Sequence, residues 1–251
     1  MIRLIMTALF MVVFLICSIV FLPICYLIRF INKKAGKNFI FFFVKIWARS
    51  LLVFAGVKTT VTGRENLKEL KSNPVLFVGN HRGILDIPLF YGYSPILAGF
   101  VAKKELTKIP IVNLWMHCIG CLFIDRSSPK AGIKTINKGI ERLKNNGDSL
   151  FIFPEGTRSK TAEMGKFKGG SLRLSEKSGC PIVPVAILGA DKIFEANKGK
   201  FKSGKCVVAF GEPVWYDKLS DEDKKNYTEI IKNRVQELID GHKEGLYRNN
   251  K

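Results

Sequence analysis

Acidic residues are scarce in this chain. Only 21 Asp and Glu stand against 40 Lys and Arg, giving a net charge of +19 over 251 residues. The excess is scattered rather than gathered into an arginine-rich tract, and no aromatic-and-basic module accompanies it. Nucleic-acid binding therefore finds no support beyond bulk charge. Histidine is rarer still, limited to His81, His117 and His242. The six cysteines (Cys17, Cys25, Cys118, Cys121, Cys180, Cys206) form no disulfide framework. Cys118-Ile119-Gly120-Cys121 has half of a metal-site spacing, but no second pair follows and only His117 is close. These thiols read as core residues of a reducing compartment, and no metal site is expected. Internal repeats and long linkers are also missing. After the first apolar run comes Pro23-Ile24-Cys25-Tyr26-Leu27, which lacks the small-residue cleavage site of a signal peptide.

Long apolar stretches, by contrast, are present. Leu4 to Leu22 carries no charge, and Pro23 interrupts the run. As a helix it would be roughly 28 Å long, close to the hydrocarbon thickness of a bilayer. A second stretch, Asn38 to Val57, is broken only by Lys45 and Arg49. Its Phe42, Phe43, Ile46, Trp47 and Leu51 suit an amphipathic helix lying in a membrane interface, or else a core helix. Residues 1–56 thus predict membrane-associating helices, either spanning or dipping into one leaflet. Arg29, Lys33, Lys34 and Lys37 would keep the following domain on the cytoplasmic side. A basic domain beside an apolar N-terminus fits an anionic membrane surface, at about 1 kcal/mol per well-placed basic residue.

From residue 57 to 251, strands alternate with helices. Val57–Thr62, Val75–Gly79, Ala98–Ala102, Cys121–Ile124, Leu150–Phe153, Ile182–Leu188 and Cys206–Phe210 read as strands. Ser128 followed by Pro129 opens a helix whose apolar face is Ile133, Ile136, Ile140 and Leu143. A final amphipathic helix begins after Ser220 and Asp223. The alternation predicts a single α/β domain with a largely parallel central sheet flanked by helices, appended to the apolar anchor.

Asn80-His81-Arg82-Gly83-Ile84-Leu85-Asp86 follows the second of these strands. Asn80 suits a helix cap, and Pro88 suits the first turn of the next helix. An imidazole at the carboxyl end of a strand stands where open α/β sheets place their chemistry. A carboxylate five residues on can fold back to accept from one ring nitrogen, leaving the other as a base. This is the logic of a Ser-His-Asp triad without its serine, so the substrate would bring the hydroxyl. Two further strands end in arginine-bearing turns: Gly120-Cys121-Leu122-Phe123-Ile124-Asp125-Arg126, and Phe151-Ile152-Phe153-Pro154-Glu155-Gly156-Thr157-Arg158-Ser159. Arg126 and Arg158 suit forked hydrogen bonds to one phosphate. A fourth turn carries Lys103 and Lys104.

Asn80-His81-x4-Asp86, Gly120 to Arg126, Phe153 to Ser159 and Ile182-Val183-Pro184-Val185-Ala186 together resemble the four motifs of the 1-acylglycerol-3-phosphate acyltransferases, within the wider glycerolipid acyltransferase family. The resemblance covers about Asn80 to Ile187; Asn113 departs from it where relatives often carry glycine. It implies transfer of an acyl chain from acyl-CoA or acyl carrier protein to a lysophospholipid acceptor, without a further cofactor. It also implies roles: His81 as general base, Asp86 orienting it, and Lys103 (or its neighbour Lys104), Arg126 and Arg158 holding the acceptor phosphate. Glu155, Gly156 and Thr157 would shape that pocket. Glycerol 3-phosphate or another lysophospholipid as acceptor, and a non-catalytic lipid-binding protein, are the alternatives.

Overall fold

Two long helices open the chain: α1, Ile2–Ile31, and α2, Lys33–Ala55. The computed structural model describes residues 2–125, 128–159, 161 and 163–247. The single residue between the helices, Asn32, caps α2 by accepting from the Ala35 amide at 3.0 Å. At Gly36 a Cβ would lie 2.5 Å from the Arg29 Cα, so only glycine lets the two helices close on each other there. The pairs Phe10 with Phe54 and Phe14 with Phe43 (centroids 4.8 and 4.9 Å) make the hairpin antiparallel. Both helices are long and apolar enough to cross a membrane by length and composition. Ile2, Ile5, Leu9, Val12, Ile16 and Ile19 remain exposed. Their spacing of three and four residues makes one unpartnered apolar stripe along α1. The helix runs on through Pro23, where the sequence suggested a break. Proline removes one hydrogen bond there, and Leu22 and Cys25, both buried beside it, hold the axis through.

Strands β1 (Val57–Thr62), β2 (Leu76–Gly79), β3 (Ala98–Lys103), β4 (Leu122–Ile124), β5 (Ser149–Ile152), β6 (Ile182–Leu188) and β7 (Gly204–Phe210) follow. They form one sheet in the order β1-β7-β6-β2-β5-β3-β4. The neighbouring pairs are parallel, except that β6 and β7 run antiparallel. Between the strands lie α3 (Asp86–Tyr93), α4 (Pro110–Ile119), α5 (Pro129–Glu141), α6 (Arg173–Ser178) and the short α7 (Ala190–Ile193); α8 (Asp221–Lys225) and α9 (Tyr227–Tyr247) close the chain. The expected α/β architecture with its largely parallel sheet and N-terminal apolar helices is what the fold has.

Alternation along the central strand β2 decides the layers. Phe77 points to one face, where it meets Phe90 edge-on at 5.0 Å. Phe90 in turn packs on Phe100 and Phe151. Helices α2, α3 and α4 cover this face through Leu52, Leu89 and Trp115. Leu76 and Val78 point to the other face, beneath Leu174 of α6 and Ile231 and Val235 of α9. The hairpin therefore belongs to one side of the sheet and the long C-terminal helix to the other.

Asn80 caps no helix. Its side chain donates to the Ile187 carbonyl at 2.8 Å and accepts from the Ile187 amide at 2.9 Å. It extends the β2–β6 ladder by one rung beyond Gly79 and fixes the point from which the next loop departs. Asn80→Ala would strand a buried amide and carbonyl, each costing about 1–3 kcal/mol. We expect a loss of roughly 2–4 kcal/mol of stability, read by chemical denaturation.

Candidate active site

The loop leaving β2 curls around one carboxylate. Asp86, the first residue of α3, is fully buried. Its Oδ2 accepts from the Arg82 amide at 2.8 Å, the Gly83 amide at 2.9 Å and His81 Nδ1 at 2.7 Å. The N-terminal end of α3 adds a favourable field for negative charge. An ionised carboxylate only accepts, so Nδ1 donates to it and Nε2 carries the lone pair. Nε2 makes no hydrogen bond with the described residues, and the side chain is about one-fifth exposed. The ring lies flat on Phe153, at 4.0 Å and 11°. The imidazole is thus fixed in tautomer by Asp86, fixed in plane by Phe153, and open at its basic nitrogen.

A second loop, after β5, holds the first from behind. Glu155 is buried; its Oε1 accepts from the His81 amide at 2.9 Å and its Oε2 from the Gly165 amide at 2.8 Å. The Ser159 amide donates to the His81 carbonyl at 2.8 Å. Both backbone groups of His81 are therefore tied to this loop. Gly156 has φ +75°, and a Cβ there would stand 2.7 Å from Lys168 Nζ. Thr157 and Arg158 are exposed beyond it.

A third contribution, Glu195, comes from the turn after α7 and was not singled out in the sequence. Its Oε1 accepts from the Ile84 amide at 2.7 Å and from Arg158 at 3.2 Å. One carboxylate oxygen thereby joins the His81–Asp86 loop to the arginine. Arg82 pairs with Asp191 from the same region at 2.7 Å. No local pattern marks these acids: Glu195 stands 111 residues from Ile84 and 37 from Arg158, Asp191 stands 109 from Arg82, and only the β6 connection brings them close.

Among the described residues, the sequence-derived cations Lys103, Lys104 and Arg158 are not gathered into one cluster. Arg158 is about half exposed and paired with Glu195. Lys103 ends β3 and pairs with Glu105 at 3.0 Å; Lys104 pairs with Asp125 at 3.2 Å. Neither lysine contacts His81 or Arg158. Because β2, β5 and β3 are parallel neighbours, Lys103 stands at the same sheet edge as His81, two strand spacings or about 10 Å away. Arg126 lies outside the described residues.

The buried thiols of Cys206 and Cys121 are poor nucleophiles. Cys206 is buried; burial first, then the negative charges of Asp86 and Asp191, push its thiol up to about 12. Burial likewise raises Cys121 to about 11. Such thiols stay protonated and unreactive at neutral pH.

Residues 58–188 match the family model described as Acyltransferase. The chain is 35% identical over 192 residues to the 1-acyl-sn-glycerol-3-phosphate acyltransferase of Borreliella burgdorferi, covering 75% of this chain and 74% of that one. It is 32% identical over 186 residues to the enzyme of the same name from Saccharomyces cerevisiae, covering 73% of this chain. It spans 60% of the length of that yeast relative and 57% of one from Brassica napus. Its fold is similar to the crystal structure of the 1-acyl-sn-glycerophosphate (LPA) acyltransferase PlsC from Thermotoga maritima. The TM-score is 0.74 and identity 28%, over 94% of this chain and 97% of that one.

If Glu195 restrains the His81–Asp86 loop, Glu195→Ala frees the Ile84 amide. Its hydrogen exchange, followed by NMR, should quicken roughly tenfold for one lost bond of about 1.4 kcal/mol. An unchanged rate would show that the loop is held without it.

Proposed function

This chain belongs to the acyltransferase family, and we propose that it transfers an acyl chain from a thioester donor to the free hydroxyl of 1-acylglycerol 3-phosphate, giving phosphatidic acid. The observation that carries the reading is His81: an imidazole oriented by Asp86 at 2.7 Å, with its other nitrogen open and no side-chain nucleophile on it among the described residues. A base without a nucleophile suits a substrate that brings its own hydroxyl.

The step follows from that geometry. As the acceptor hydroxyl oxygen attacks the thioester carbon, its proton moves to His81 Nε2. Asp86 stabilises the imidazolium that forms. The tetrahedral intermediate collapses, the carbon–sulfur bond breaks, and the leaving thiolate takes the proton back from His81. No acyl-enzyme forms, and no cofactor is required beyond the acyl-CoA or acyl carrier protein co-substrate. Arg158, with Lys103 and Arg126, would hold the acceptor phosphate, and Gly156 and Thr157 would let it approach the backbone. The half-exposed ion pair of Arg158 with Glu195 is worth about 1 kcal/mol or less, so a phosphate can share or displace it at little cost. Glu155 acts from behind, by holding the backbone of His81.

An apolar cavity of about 240 Å³ supports a lipid substrate. It lies between the hairpin, α3, α4 and β3, and Phe14, Trp47, Ile87, Phe100 and Trp115 are among its walls. Ile87 adjoins Asp86 in the chain, and Phe100 lies 5.8 Å from Phe153, the ring beneath His81. The cavity thus begins beside the base, where the acyl chain of a thioester would start.

The hairpin supports a membrane location and a monotopic one. The α/β domain holds α1 at two points: Trp115 donates to Ser18 Oγ at 2.8 Å, and Arg29 donates to the Cys118 carbonyl at 3.1 Å. A helix held along its side from its middle to its C-terminal end cannot stand upright in a bilayer while the domain stays outside. Instead residues 1–56 would lie in one leaflet with the exposed stripe in the acyl region. Residues 57–251 would then face the cytoplasm, their basic surface against anionic lipid.

His81→Ala should lower transfer by about 10²–10⁴-fold while the thermal midpoint stays near that of the parent. Turnover at the parental rate would sink the mechanism. Arg158→Ala should raise the apparent KM for the acceptor about tenfold or more with little change in kcat, if the arginine binds ground and transition states alike. Assays that cross both donors with lysophosphatidate, glycerol 3-phosphate and an uncharged acceptor test the substrate assignment.

A further inference from the structure

At the end of the sheet opposite His81, a pocket lined by cations opens where the strands begin. It has a volume of about 170 Å³. Its walls come from the last turn of α1 (Arg29), the start of α2 (Lys37 and Phe41), the loop before β2 (Lys71, Ser72 and Asn73) and the segments entering β3 and β5. Arg29 is held by its bond to the Cys118 carbonyl at 3.1 Å. Lys37 pairs with Asp148 at 2.5 Å and reaches the Gly147 carbonyl at 3.4 Å. Lys71 is exposed, and its ammonium makes no hydrogen bond or ion pair with the described residues. The side chains of Ser72 and Asn73 beside it make none either. Asp148 is the one acid among the described residues that line the pocket. The hairpin bordering it carries no acid: the first in the chain is Glu65, after nine Lys and Arg. The six residues of β3, roughly 20 Å at about 3.3 Å each, separate Leu97 of this pocket from the edge that carries His81.

We infer that this pocket binds the phosphate of an anionic phospholipid, as a second lipid site apart from the one at His81. The inference rests on the placement of the hairpin in one leaflet proposed above, and is independent of the acyl-transfer step. Chemistry sets the charge of the ligand. Two cations held by the fold and a third without a partner among the described residues line one small pocket, which suits an anion with several acceptor oxygens. Ser72 and Asn73 add neutral donors at the same place. Position sets the rest of the ligand. At the hairpin turn Phe30 and Ile31 are 90% and 76% exposed. Along α2, Phe42 and Ile46 are exposed one position on from Phe41, which lines the pocket, and Lys45, whose ammonium lies 4.7 Å over the Phe41 ring. Cations and exposed apolar side chains thus share one stretch of the hairpin, the arrangement of a helix at headgroup level. A free phosphate would use the cations and leave the apolar side chains in water. A phospholipid uses both, and its phosphate ties the hairpin turn and the sheet to the leaflet.

The test measures binding of tail-labelled phosphatidylglycerol to the full chain in neutral-detergent micelles, by fluorescence anisotropy. That lipid is neither acceptor nor product of the proposed reaction. Lys71→Glu should weaken its binding about tenfold, and Lys71→Arg should stay within about twofold of the parent. Lys37→Gln should weaken it in the same direction. Lys34→Glu, an equal change of charge on the same hairpin but outside the pocket, should stay within about twofold. Labelled phosphatidylcholine should bind weakly and alike to every variant. Inorganic phosphate at the concentration of the lipid should not displace it. Equal losses in Lys34→Glu and Lys71→Glu would show bulk charge alone and overturn the site. So would a parent that does not distinguish the two lipids, and so would displacement by inorganic phosphate. A chain that floats with no vesicle of either lipid overturns the leaflet placement and the lipid site with it. Acyl transfer, assayed in parallel, separates the two readings. A parent that transfers no acyl group yet binds phosphatidylglycerol through Lys71 sinks the acyl-transfer reading and leaves the site standing.

Discussion

One carboxylate organises the centre of this protein. Asp86 has no contact with solvent, and its Oδ2 gathers two backbone amides and an imidazole nitrogen. A buried charge of this kind is tolerable only when hydrogen bonds replace its lost hydration. The loop from His81 to Asp86 supplies them by curling into a tight turn, and the first turn of α3 adds its dipole. The requirement that stabilises the anion is the same one that orients the base. Departing from that geometry would expose a costly unsatisfied charge, so the imidazole inherits the rigidity of the core.

The rest of the site is a set of braces on that loop. Asn80 ties its start to β6, Glu155 and Ser159 hold the backbone of His81, and Glu195 reaches the Ile84 amide. Each brace comes from a different strand end, and all of them stand on one edge of a sheet whose central strands are parallel. Chemistry at the carboxyl ends of such strands gains rigidity from the sheet and variability from the loops. Alternation along β2 then separates two environments. Phe77 faces the aromatic cluster beneath the hairpin, whereas Leu76 and Val78 face α6 and α9.

Much of this was legible in the chain because it rests on local rules. Strand after strand is a short β-branched or aromatic run stopped by turn residues, and each such run did become a strand. Ser128 caps α5 through the Ala131 amide as its position suggested. The His81–Asp86 pair was visible because both partners belong to one turn. Other features broke those rules for identifiable reasons. Pro23 did not end α1, because packing on either side outweighs one missing hydrogen bond. Asn80 was taken up by β6 rather than by a helix end, because a buried amide side chain satisfies two strand groups at once.

The sequence by itself determined the chemistry on offer: one histidine with a nearby carboxylate, arginine-bearing turns at strand ends, an apolar N-terminus and a surplus of positive charge. Those are properties of residue type and short spacing, which survive without knowledge of the fold. Tertiary structure alone decided which of these groups meet. Glu195 and Arg158 are 37 residues apart and Asn80 and Ile187 are 107 apart, and only the strand order joins them. It likewise decided that Lys103 stands apart from Arg158 and that α1 and α2 fold against each other along the domain. Long-range pairing depends on how strands order and helices cross, which is settled by burying the whole core at once rather than by any segment alone.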